Sequence, residues 1–247
     1  MTKLVEWVKA QRAIYRPVKL VKPWKTAGSN DMGIIDLDET GMENAAGEVT
    51  AAEYCARIAG ILAGIPMGMS ATYAALPELT AVTDRTTEEQ ETAIKAGKLI
   101  LIHDGLQAKI ARAVNSLTTI PPEGKQDWSR IKIVEGMDLI SYYLRTTIEN
   151  EYLGRYPNTY DNKQILVTAI SDYFRYLERA GVLSAGESYA EVDYERQLLW
   201  LTSQGVNTSG MTRNEILEYQ TGSWAFIRCG GRLVDAMEDF EVLFNNL

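Results

Sequence analysis

Apolar residues recur along this chain in two periods, and the switches between them predict its elements. Leu4, Val5 and Val8 with Arg12 fall at helical spacing, so residues 3–15 predict a helix that stops before Pro17. Residues 18–22 then predict a short strand ending at Pro23, and residues 33–38 a second one. Thr50-Ala51-Ala52-Glu53 is a capping box, in which the threonine oxygen and the glutamate carboxylate each satisfy an otherwise orphan backbone donor. The helix it opens carries Ala51, Cys55, Ile58, Ala59, Leu62 and Ile65 on one stripe and ends at Pro66. Residues 71–82 predict extended chain broken at Pro77, and Thr87 with Gln90 predicts a short helix closing at Gly97. Residues 98–103 and 108–114 predict strands joined around Asp104-Gly105, a hairpin signal.

Beyond residue 130 the helical period dominates. Ile131, Val134, Met137, Ile140, Leu144, Ile148 and Tyr152 repeat at three and four residues, which predicts an amphipathic helix of about six turns. Asp161 with Gln164 predicts the start of another, with Leu166, Ala169, Ile170, Tyr173, Phe174 and Leu177 on its buried face and Gly181 as its C-cap. Two further helices are expected over 194–204 and, behind a Thr212/Glu215 capping box, over 213–219. The chain ends in predicted strand over 223–229, a Gly230-Gly231 turn, and a long strand over 232–245. In that last stretch Val234, Ala236, Phe240, Val242 and Phe244 share one face at period two, broken only by Glu238. A terminal strand of that length is hard to cover with its own chain, and an exposed apolar edge invites pairing with another molecule. Val234, Ala236, Glu238, Phe240, Val242 and Phe244 are therefore the candidate inter-subunit strand, and Gly230 and Gly231 the turn that sets its departure. The element order predicts a mixed α+β protein: helices flanking a mixed sheet over residues 1–120, then an α+β domain over 121–247 with two long helices and a terminal β-hairpin or arm.

Composition narrows the chemistry. With 46% hydrophobic and 23% charged residues among 247, the chain has the balance of a globular protein with a real core. Its longest apolar runs are far too short to span a bilayer, and residues 1–7 lack the features of a secretory signal. Cys55 and Cys229 sit in apolar contexts that favour free thiols, and a single histidine, His103, rules out any site built on two imidazoles. No Gly-x-x-x-x-Gly-Lys-Ser/Thr loop occurs, so nucleotide binding has no support in the sequence. Acid pairs such as Asp36 with Asp38 and Glu187 with Glu191 lack the apolar frame that would tune a carboxyl for acid/base work. The net charge of −8 argues against affinity for nucleic acid, and the aromatics among basic residues at Trp7, Tyr15 and Trp24 are equally what a half-buried helix and strand require. Charge is nevertheless uneven. Residues 1–25 hold seven basic side chains against one acidic, leaving 18 basic and 32 acidic in the rest, which is either a solvated helix face, as charge runs commonly are, or a dipole that favours head-to-tail attraction between copies.

Six phrases, in order and at matching intervals, resemble the C-terminal half of the contractile tail sheath proteins of bacteriophages, defective prophages and phage-tail-like bacteriocins. They are Ala59-Gly60-Ile61-Leu62-Ala63-Gly64-Ile65-Pro66 running to Leu76-Pro77-Glu78-Leu79; Val114-Asn115-Ser116-Leu117-Thr118-Thr119; Ile131-Lys132-Ile133-Val134-Glu135-Gly136-Met137-Asp138; Glu151-Tyr152-Leu153-Gly154-Arg155; residues 170–183; and Leu233-Val234-Asp235-Ala236-Met237-Glu238. The chain begins near the middle of the family pattern, as a fragment of a longer protein would, and residues 185–220 hold more helix than the family's short acidic linker. The resemblance implies a structural subunit, not an enzyme, that polymerises as rings or a helix around an inner tail tube, between baseplate and tail terminator. It places the protein in a virion tail or phage-tail-like particle made in the bacterial cytoplasm, without cofactor, nucleic-acid partner or membrane insertion. It also implies terminal arms that add strands to the sheets of adjacent subunits.

The residues by themselves leave two other classes open: an α/β hydrolase using carboxylates or His103, and a monomeric binding module. One substitution separates them from the sheath reading. His103→Ala is expected to leave a sheath subunit folded and able to polymerise, as read by circular dichroism and negative-stain microscopy; loss of a hydrolytic activity in a chain that still folds would favour the enzyme.

Overall fold

The computed structural model describes residues 2–119 and 128–245. Its elements run, in order, α1 (Thr2–Ala13), β1 (Leu20–Pro23), β2 (Ile34–Leu37), β3 (Met42–Asn44), β4 (Gly47–Val49), α2 (Ala51–Gly64), β5 (Ala75–Leu76), β6 (Leu79–Ala81), α3 (Thr87–Lys95), β7 (Lys98–Leu99), β8 (Leu101–His103), β9 (Ala108–Ile110), α4 (Ile131–Thr147), α5 (Tyr160–Arg179), β10 (Tyr189–Val192), α6 (Tyr194–Ser203), α7 (Arg213–Glu218) and β11 (Ile227–Gly230). The mixed α+β class is as the sequence predicts. Contacts divide the chain into two compact units, residues 1–142 with 235–247, and residues 143–234. The expected boundary at 120/121 lies outside the described residues. The last residues belong to the first unit, so no single cut of the chain reproduces this division.

In the first unit β1, β2 and β7 form a parallel sheet with β2 in the centre. All four β2 residues are buried, as the middle strand of a parallel sheet covered on both faces requires. One of them is Asp36, fully buried beside its register partner Lys22, whose Nζ lies 2.5 Å from Oδ1. The backbone N–H of Ser29 donates to the same carboxylate at 2.9 Å, so the buried charge is both paired and hydrogen-bonded. Two antiparallel sheets, β4-β3-β6 and β5-β9-β8, complete the unit. Ile35 and Leu37 of β2, Ile58 of α2, Leu76 of β5, and Leu101 and Ile110 of the β8–β9 pair meet in one core. Burial holds the Cys55 thiol of α2 up at about 11, the behaviour of a packing thiol, not a reactive one.

Several local signals resolve as read. Thr50 caps α2 and Thr212 caps α7 through complete capping boxes. β8 and β9 pair antiparallel across residues 104–107, with Gly105 at φ 91° and both Leu106 and Gln107 donating to the Asp104 carboxylate. Three predictions shift. The α3 box is Thr86 with Glu89, one residue earlier than predicted. Thr86-Thr87-Glu88-Glu89-Gln90 offers the motif in two registers, and the one that puts an anion at the helix N-terminus wins while Gln90 donates to Arg85 O. Thr159, not Asp161, caps α5. The long helix from Ile131 closes at Thr147 and gives way to one π-helical turn, Ile148–Tyr152.

In the second unit Leu166, Ile170, Phe174 and Leu177 of α5 form the buried face, beside the antiparallel pair β10–β11. Lys163 is buried among neutral oxygens, donating to Gln197 and Thr221 at 3.2 Å, and desolvation lowers its pKa. Gln197 in turn donates to Ile216 O, so one polar knot ties α5, α6 and α7.

The tightest backbone approach in the first unit is at Gly97, which follows α3 with φ 71° and would place a Cβ 2.9 Å from Ser116 O. Gly97→Ala is therefore expected to lower stability by about 2 kcal/mol in urea unfolding. An unchanged midpoint would contradict this contact.

Candidate functional site

The region singled out by the sequence, residues 230–245, is divided between the two units. Its first part closes the small sheet of the second unit. β11 pairs with β10, in the register Tyr189↔Gly230 to Val192↔Ile227, and not with the residues that follow it. This corrects the expected terminal hairpin: the partner strand lies earlier in the chain, and Gly230-Gly231 is not its turn. Neither glycine has a positive φ. Leu233 instead bridges to Leu183, and Val234 N donates to Val182 O, which carries the pairing three residues further.

From Asp235 onward the described residues form no strand, a correction to the long strand predicted there. A strand is defined by its ladder, and none of the described residues supplies a neighbour to make one. Two kinds of side chain stand in this segment. Met237, Phe240, Val242, Leu243 and Phe244 stand in solvent, with Phe240 73% and Phe244 85% exposed; Ala236 is half-buried. Glu238 does the opposite. Its side chain is 6% exposed, and both carboxylate oxygens are occupied.

That carboxylate sits in a socket built from three separate stretches of the first unit. Oε1 accepts from Ser70 Oγ at 2.6 Å and Thr72 Oγ1 at 2.7 Å. Oε2 accepts from Arg112 Nε at 3.1 Å and Arg130 Nη1 at 2.6 Å. Thr72 is held in turn, since its Oγ1 accepts from Ala113 N and its backbone N–H donates to Ser70 Oγ. The flanking acids extend the pairing: Asp235 lies 3.7 Å from Arg130, and Asp239 accepts from Arg112 at 2.5 Å. Burial by itself would lower the Arg112 pKa, but Asp239 and Glu238 hold it above its ordinary value. For the neighbouring Lys132 desolvation outweighs Asp235 and Glu238, and its pKa falls. Two charges on two arginines, with hydroxyl donors on the remaining lone pairs, is the arrangement a buried carboxylate needs.

The basic N-terminal stretch is partly used up inside its own unit. Arg12 makes a two-pronged contact with Asp138 at 2.8 and 2.9 Å, Lys19 lies within 2.9 Å of both Glu135 and Asp138, and Lys22 holds Asp36. Three of the seven basic side chains counted there thus have acidic partners within the unit, which shrinks the dipole read from the sequence. His103 is exposed at the hairpin end, and its Nδ1 accepts from Gly105 N, a turn-stabilising contact.

Residues 123–245 match the phage tail sheath C-terminal domain. The chain is 32% identical over 241 residues, 98% of its length and 67% of the relative's, to the tail sheath protein of Clostridium phage phiCD119. It belongs to the phage tail sheath protein family. Solved structures share the fold at lower identity. The sheath tail protein of Desulfitobacterium hafniense has a TM-score of 0.69 at 21% identity, covering 78% of this chain and 46% of that one. The sheath tail protein of Listeria innocua has 0.67 at 18%, covering 95% and 53%. The helical sheath of the anti-feeding prophage in its contracted state has 0.68 at 14%, covering 98% and 65%. This chain thus spans between about half and two thirds of the length of those structures.

Because Gly230 has ordinary backbone angles and the atoms a Cβ would meet belong to the outer ring of Tyr189, a half-exposed side chain able to swing aside, Gly230→Ala is expected to cost about 1 kcal/mol or less in thermal unfolding. A loss well above that would contradict this reading of Gly230.

Proposed function

We propose that this chain is a subunit of a contractile sheath: copies polymerise in rings or a helix around an inner tail tube, between baseplate and tail terminator, and a concerted rearrangement drives the tube through a target envelope. The observation that carries the reading is the 32% identity to a phage tail sheath protein across 98% of the chain. The fold likeness to the contracted anti-feeding prophage sheath supports the contractile part. The subunit is made in the bacterial cytoplasm and works in the tail of a virion or phage-tail-like particle.

The joint between copies is β-augmentation by the C-terminal segment, with Phe240, Val242 and Phe244 as anchors on one face. Its recipient is the β10–β11 sheet of a second copy, a two-stranded ribbon in which each strand has one side without a strand partner among the described residues. Magnitudes explain why the segment lies uncovered in the single chain and pairs in the polymer. Burying three such side chains gains about 5–8 kcal/mol, and each added backbone hydrogen bond about 1 kcal/mol. Ordering five residues costs about 5–10 kcal/mol. One joint is therefore marginal, whereas joints repeated around a ring act together. Strand pairing also holds register while subunits rotate, which contraction between two packings of one subunit requires.

Removing residues 240–247 spares the Glu238 socket. The truncated chain is expected to melt as the full chain does and to stay monomeric in sedimentation at concentrations where the full chain polymerises. Polymers of normal yield after truncation would contradict the strand-lending joint.

A further inference from the structure

The alternation of apolar residues in the C-terminal segment breaks once, at Glu238, and the structure gives the break a purpose. Were the whole of 234–244 lent to a neighbour, Glu238 would have no reason to be buried in its own unit. It accepts four hydrogen bonds there, from Ser70, Thr72, Arg112 and Arg130, while Met237 just before it and Phe240 just after Asp239 stand in solvent. The side chains that fasten residues 235–239 are thus acidic: Asp235 on Arg130, Glu238 in the socket, Asp239 on Arg112.

We infer that Glu238 is a positioning residue that splits the C-terminal segment in two, keeping residues 235–239 on their own subunit and fixing the point from which 240–245 reaches a second copy. This rests on the strand-lending reading above and adds to it a fixed point of departure. With the socket closed, the arm begins at the last fixed residue. With it open, five more residues join the tether, and the start of the arm wanders over a root-mean-square distance of about 12 Å. A lent strand must then regain the order that the socket supplies in advance, at a cost of about 1–2 kcal/mol for each residue fixed again. The polymer needs the arm in one register on its recipient, so loss of the socket is felt in assembly more than in the fold of the subunit.

The test uses the full chain and the variants Glu238→Ala and Glu238→Gln, with the 240–247 truncation as reference. Glutamine keeps the shape, can accept from the arginines and donate to the two hydroxyls, and removes only the charge, so it stays informative if the alanine variant fails to fold. Amide hydrogen exchange over 235–239 is measured in the unassembled subunit, and the critical concentration for polymerisation by sedimentation. For Glu238→Ala, exchange at 235–239 is expected to rise about tenfold or more and the critical concentration to rise about tenfold or more, with smaller changes in the same direction for Glu238→Gln. Unchanged exchange in both variants would overturn the socket as the fastening. Faster exchange with an unchanged critical concentration would overturn the positioning role while leaving strand lending intact. In this experiment strand lending itself fails if the truncated chain polymerises normally, an outcome independent of either Glu238 variant.

Discussion

A carboxylate removed from water is stable only where opposite charge and hydrogen-bond donors replace its hydration on every side. Glu238 meets that condition, with two arginines on one oxygen and two hydroxyls on the other. The rest of the C-terminal segment depends on it. Met237 and Phe240 on either side of it stand in solvent, so the acids and their arginines decide where the segment lies. The socket also draws together residues far apart in the chain: the loop at 70–72, Arg112 just after β9, and Arg130 just before α4. Loss of any one of these places leaves the others with a charge or donor to satisfy.

The two halves of the segment answer to different forces. Residues 235–239 are held by charge, which is directional and local, and residues 240–244 carry hydrophobic surface, which is neither. A subunit built this way keeps its apolar arm at a defined place without burying it against itself. On the proposed reading one such arm gains about as much as ordering it costs, so copies stay apart until many joints form together. A sheath needs that balance, since its joints must survive a change of packing without trapping single subunits in aggregates.

Local signals were legible and distant ones were not. The capping boxes at Thr50/Glu53 and Thr212/Glu215 need only four residues, and they stand where the sequence predicts. The stripe that begins at Ile131 and the one ending at Leu177 are equally local, and both are helices. The ambiguity at Thr86-Thr87 shows the limit of such signals, since two registers satisfied the same rule and acid at the helix terminus decided between them. Strand partners are a different matter. Tyr189–Val192 carries little β signal of its own, and it takes up Ile227–Gly230 across α6 and α7, so the expected hairpin lost to a partner with a large sequence separation. The socket was invisible for the same reason, with partners more than 100 residues from Glu238. One mark of it was present, the single acid in an otherwise apolar alternation, and it read as a flaw in a strand instead of an anchor.

On the proposed reading residues 240–244 are lent while 235–239 stay at home. A cryo-electron microscopy reconstruction of the assembled polymer tests it most directly, at a resolution that traces the main chain of the C-terminal segment. Residues 240–244 are expected to lie as a strand hydrogen-bonded to the β10–β11 sheet of a second subunit, with the Glu238 side chain still between Arg112 and Arg130 of its own. A map in which 240–244 fold back onto their own subunit, with no strand crossing to a neighbour, would contradict it.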